Sequence, residues 1–156
     1  MHFMPRVALV FLMLGALCGC SEVRFERRYN YYFSRGGERG DVRERFDAIL
    51  FTRSVAELPP NERTLYDAFH GDQAAIHRFF NDPALVDEKA GWPGRVARFG
   101  CTLLLCKMGD DDFAKALSRE SSDVRESVGE VIDRMIEFDR YPKTRAQYTY
   151  RWDGGA

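Results

Sequence analysis

This chain of 156 residues is poor in the side chains from which reactive centres are usually built. It has three histidines (His2, His70 and His77) and four cysteines (Cys18, Cys20, Cys101 and Cys106). His70 and His77 are separated by Gly71-Asp72 and form no H-x-x-x-H pair, and no C-x-x-C occurs, so a zinc site is not expected. There is no G-x-S-x-G, P-loop or G-x-G-x-x-G. Asp110-Asp111-Asp112 lacks the spaced oxygen ligands and distal glutamate of a calcium loop. Three carboxylates in a row there suit the positive end of a helix instead. No catalytic residue, metal or cofactor is expected. Charge of one sign is also lacking: 23 Lys+Arg stand against 24 Asp+Glu. That balance gives no electrostatic footprint for nucleic acid. Finally, no long apolar run is present. Val7 to Leu17 is apolar, but crossing a bilayer takes ~20 such residues.

That short run has the layout of a secretory signal: Arg6 before it, the apolar stretch, then small residues. It ends in Leu17-Cys18-Gly19-Cys20, which resembles the lipobox of bacterial lipoproteins. Leu17, Gly19 and Cys20 match the pattern, and Cys18 stands where Ala, Ser or Thr is usual. The resemblance implies cleavage between Gly19 and Cys20, removal of residues 1–19, and acyl chains (palmitate among them) on Cys20. Stable anchoring takes more than one acyl chain, and the resemblance implies three. Ser21, in place of Asp, implies the outer membrane, with the body in the periplasm. Removing 1–19 takes away Arg6 alone among charged residues, so the mature net charge is about −2. The alternative is an ordinary signal cleaved near Ala16.

The remainder reads as one mainly α domain. Residues 20–40 form the lipidated N-terminal segment and 41–156 the helical domain. Val23, Phe25, Tyr29, Tyr31 and Phe33 share one parity, and period two predicts a strand over 23–33. Tyr148, Tyr150 and Trp152 alternate likewise. A strand at 147–152 would pair with 23–33, giving a small two-stranded β element from the chain ends. Between them the apolar spacing predicts helices over 42 to about 55 (capped by Asp41), 62–70 (Asn61), 73–81 (Asp72), 95–108, 112–119 (Asp110 or Asp111) and 123–138 (Ser122). Residues 84–94 read as a loop. The 95–108 stretch is apolar on nearly every side and is expected to be the central buried helix.

Leu65 to Asp72 aligns with Leu103 to Asp110 at an offset of 38, each a helix followed by a Gly-Asp turn. Repeated helix pairs of this period belong to the α-solenoid class. With Val124 and Arg125 opening the next helix, the stretch resembles HEAT-type repeats. The resemblance covers about 75 residues and two copies at most; a stable solenoid takes about three repeats, so a compact bundle of helical hairpins is expected equally.

Cys101 and Cys106 are five apart. On an intact helix that is a rise of ~7.5 Å, beyond the ~7 Å Cα limit for a disulfide, so free buried thiols are expected. Arg39-Gly40-Asp41 spells the integrin tripeptide, but a turn before a cap accounts for it. The leading expectation is a non-enzymatic interaction module, tethered through lipid on Cys20 and binding a periplasmic or outer-membrane protein. The alternatives are an enzyme or enzyme regulator using Asp110–Asp112 with His70, and a passive envelope component.

Overall fold

The computed structural model describes residues 22–33 and 37–135, and within them every regular element is helical. The helices are α1 (22–33), α2 (Glu38–Leu50), α3 (Pro60–Phe69), α4 (Gln73–Phe80), α5 (Gly91–Met108), α6 (Asp110–Ser118) and α7 (Ser122–Met135). Single 3-10 turns stand at Val55–Glu57 and Pro83–Leu85.

The expected central helix is α5. Every residue from Phe99 to Cys106 is buried, and α2, α3, α4, α6 and α7 all pack on it. Gly100 makes this crowding possible. A Cβ there would meet the Phe79 ring at 2.6 Å and Leu65 Cδ1 at 3.1 Å. Glycine costs a helix interior about 1 kcal/mol relative to alanine, and here it lets α3 and α4 approach the α5 backbone.

The expected strand over 23–33 is instead helix α1. Phe25, Tyr29, Tyr32 and Phe33 also fall at i, i+4, i+7 and i+8, a helical stripe. Tyr29, Tyr32 and Phe33 are buried and Phe25 packs against them, whereas Val23 is 59% exposed. The shared parity of Val23 and Tyr31 is incidental to the stripe that packs. α1 runs antiparallel to α2. Phe33 meets Phe46 at a ring distance of 5.7 Å, and the Tyr29 hydroxyl donates to Asp47 at 2.8 Å. The Arg28–Asp110 ion pair, 2.9 Å, ties α1 to the start of α6. α1 therefore shares the same hydrophobic core as the rest of the body. With 23–33 helical, the two-stranded element has lost one partner; the other, 147–152, lies outside the described residues.

The helix boundaries move for local reasons. α2 starts one turn earlier than expected, after Gly37 (φ +81°), a left-handed conformation that favours glycine. Asp41 is therefore inside the helix and not its cap. Arg39 of the tripeptide donates to the Met135 carbonyl at 2.7 Å, joining α2 to the end of α7. α2 stops at Leu50, short of 55, where the Ser54 amide bonds the Thr52 hydroxyl and competes with helix continuation. α3 begins at Pro60 in the N1 position, which needs no N–H, so Asn61 is not a cap. α5 begins at Gly91 because Pro93 is tolerated in a first turn. Asp72 caps α4 as expected, accepting from the Ala75 amide at 3.2 Å. α6 opens at Asp110 after Gly109, and Ser121, not Ser122, accepts from the Val124 amide. Cys101 and Cys106 are free and buried on the unbroken α5.

Candidate functional site

The two halves of the 38-residue echo lie side by side. α3 and α5 run in the same direction: Glu62 meets Trp92 near their N-terminal ends, Leu65 meets Gly100 midway, and Phe69 meets Lys107 at their C-terminal ends. Both helices then stop at glycines with positive φ, Gly71 at +89° and Gly109 at +80°. Neither turn would accept a Cβ-bearing residue without strain. Between these turns opens a cleft of about 710 Å³. Its walls come from the end of α3 (Phe69, His70), the end of α5 (Lys107, Met108) and the outer side of α6 (Asp112, Lys115, Arg119).

The cleft is basic and part aromatic. Lys107 holds its ammonium 4.9 Å from the Phe69 ring centroid and 5.7 Å from that of Phe25, within cation–π range. Positions 69 and 107 are equivalent in the echo, so the contact joins corresponding points of the two hairpins. Lys115 and Arg119 project from α6 and are exposed. His70 Nδ1 lies 2.7 Å from the Tyr66 carbonyl, which can only accept, so Nδ1–H is the donor. Its ring lies tilted against that of Tyr66, with centroids 4.2 Å apart.

α1 closes one side of this region and divides its charges. Phe25 packs edge-on to Phe69 at 5.5 Å. Arg28 lies toward α6. Burial opposes its charge, and the adjacent Asp110 carboxylate outweighs that, holding the guanidinium above its ordinary value. Glu22 and Glu26 face the other way, into a second cleft of about 470 Å³ shared with Arg43, Asp47 and Phe51. Phe51 is 79% exposed there. In that cleft, burial and then the Asp47 hydrogen bond push the Tyr29 phenol far above its usual range.

Of the residues singled out in the sequence, His70 and Asp112 line the basic cleft, while Asp110 is engaged with Arg28. His77 is elsewhere: its Nδ1 lies 2.8 Å from Glu120, which also accepts from the Asn81 side-chain amide at 3.0 Å. That group pins α4 to the α6–α7 turn. Among the described residues, no cluster of three or more His, Cys, Asp or Glu is arranged to hold a metal ion. No helix among them is long and apolar enough to cross a membrane. The expected lipid site, Cys20, and the residue before it, Gly19, lie outside the described residues. No motif marks Lys107, Lys115 or Arg119 in the sequence; the 38-residue echo, which places position 107 opposite position 69, is the available signal. No known protein family matches this chain, and neither a curated protein sequence nor a solved structure is detectably similar to it.

Proposed function

We propose that the chain is a lipid-anchored bacterial envelope protein whose helical body is a non-enzymatic interaction module, held at the outer membrane and facing the periplasm. The observation that carries the reading is the junction at residues 20–22. The lipobox-like Leu17-Cys18-Gly19-Cys20 ends two residues before Glu22, the first described residue of α1, and α1 is fixed in the core by Phe33, Tyr29 and the Arg28–Asp110 pair. Two extended residues span at most ~7 Å, so a lipid on Cys20 holds the body close to its membrane and not on a long tether. The HEAT-type assignment is supported by two helix pairs, α3–α4 and α5–α6, lying side by side with their first members aligned. Metabolic labelling with a fatty acid tests the anchor: the wild type takes up label and Cys20→Ala does not. Equal labelling of both contradicts it.

A further inference from the structure

We propose that the basic cleft between the Gly71 and Gly109 turns binds the phosphate of anionic lipid headgroups, and so sets how the body lies on its membrane. The inference rests on the anchor reading and goes beyond it, since an anchor alone leaves the body free to swivel.

Three observations converge on this end of the molecule. The first is position. The start of α1 and the cleft share one end of the body, because Phe25 touches both Phe69 and Lys107. Three helical residues rise ~4.5 Å, so the Cα of Cys20 lies within about 12 Å of that of Phe25. The headgroup layer is itself about 5–8 Å deep on each side of the hydrocarbon. A cleft that close to the acylated residue has lipid phosphates as its nearest abundant anions.

The second observation is charge. Lys107, Lys115 and Arg119 line the cleft against the single carboxylate of Asp112. Arg24, exposed, stands one turn before Arg28 on the same side of α1. Glu22 and Glu26 face the opposite side. In a chain that is close to neutral as a whole, the cleft lining therefore carries three cations against one carboxylate.

The third is apolar exposure at the same end. Val23 is 59% exposed, one turn before Arg27 on α1, and Phe51 is 79% exposed beside the second cleft. Bared apolar side chains at that end suit a headgroup boundary, where they enter the acyl edge. An acidic protein segment would satisfy the cations, but nothing in the position of the anchor favours it.

The test uses the full protein purified from membranes and placed on vesicles, with lysine acetylation read by mass spectrometry. Lys89 is exposed and precedes α5, a helix of 18 residues or ~27 Å, so it reports the far end. On phosphatidylethanolamine vesicles containing phosphatidylglycerol, Lys107 and Lys115 are expected to react at least fivefold more slowly relative to Lys89 than on vesicles of phosphatidylcholine. Near an anionic surface each basic residue contributes about a fivefold change in partition. The Lys115→Gln/Arg119→Gln variant, altered only at exposed positions, is accordingly expected to lose most of the shielding of Lys107 on the anionic vesicles. Equal labelling on the two vesicle types overturns the assignment. Shielding on phosphatidylcholine that appears only when a soluble protein fraction is added also overturns it and gives the cleft to a protein. The mass of acyl chains on Cys20, read from the same digest, reports the anchor separately: its absence defeats the anchor reading, while the labelling ratio decides the cleft.

Discussion

Replacing Phe33 by alanine tests how firmly α1 is held in the body. Phe33 is 1% exposed. Its ring lies 5.1 Å from that of Tyr29, 5.7 Å from Phe46 and 6.4 Å from Phe99, so it joins α1 to both α2 and α5. A buried Phe→Ala change costs about 3–5 kcal/mol through lost transfer energy and the cavity left behind. The value belongs in the upper half of that range, because edge-to-face partners add about 0.5–1.5 kcal/mol beyond burial. For a body of this size each kcal/mol moves Tm by about 3–6 °C. Even at the lower bound of about 3 kcal/mol, Phe33→Ala is expected to melt about 10 °C or more below the wild type. Thermal and urea unfolding followed by circular dichroism supply the measurement. Val23→Ala, at an exposed position of the same helix, serves as the control and is expected to stay within about 0.5 kcal/mol. If Phe33→Ala melts with the wild type, residues 22–33 contribute nothing to the core. The proposed closeness of the body to Cys20 then loses its support.

Further outcomes follow from other contacts. Glu62 is 5% exposed and accepts from the Trp92 indole at 2.8 Å, with Arg45 at 3.4 Å. Glu62→Ala leaves that indole donor without its partner and is expected to cost about 1–3 kcal/mol in urea unfolding. Gly100→Val drives a branched side chain into Phe79 and Leu65. It is expected to cost about 2 kcal/mol or more, and a stability equal to wild type would mean that α3 and α4 do not approach α5 there. Burial pushes the Cys106 thiol up to about 12 and Cys101 up as well. Both should resist a thiol reagent at pH 8 until the protein unfolds. Because the folded thiols bind their protons more tightly, they leave stability unchanged below about pH 9, near the pKa of an unfolded thiol. Stability then falls as pH climbs from there toward about 12, by about 1.4 kcal/mol per unit for each thiol; a pH-independent stability over that window contradicts the burial.

The helical body is legible in the sequence because its apolar spacing is strong. The stripe Val128, Val131 and Ile132 is buried in α7, and the uniformly apolar run around Leu103–Leu105 is the buried α5. α1 is not, because six aromatic or apolar residues in eleven satisfy two periods at once. The packing of Tyr32, which the strand reading leaves out, and the exposure of Val23, which it includes, separate them. Helix starts at Gly37 and Gly109 are obscured because a glycine in the left-handed region leaves no side-chain cap to read. The cleft is less legible still. Phe69, Lys107 and Lys115 come from three helices, and each alone is an ordinary residue of its helix. Only the Gly-Asp echo marks both turns, and it says nothing of the charges that their juxtaposition collects.

The central claim is that Cys20 carries the membrane anchor immediately before a packed helix. Mass spectrometry of the N-terminal peptide, from protein isolated out of the membrane fraction, tests it most directly. The predicted result is a peptide that begins at Cys20 and carries the mass of a diacylglyceryl group with an amide-linked acyl chain. A peptide that begins after Ala16, or at Cys20 without acyl mass, would contradict it.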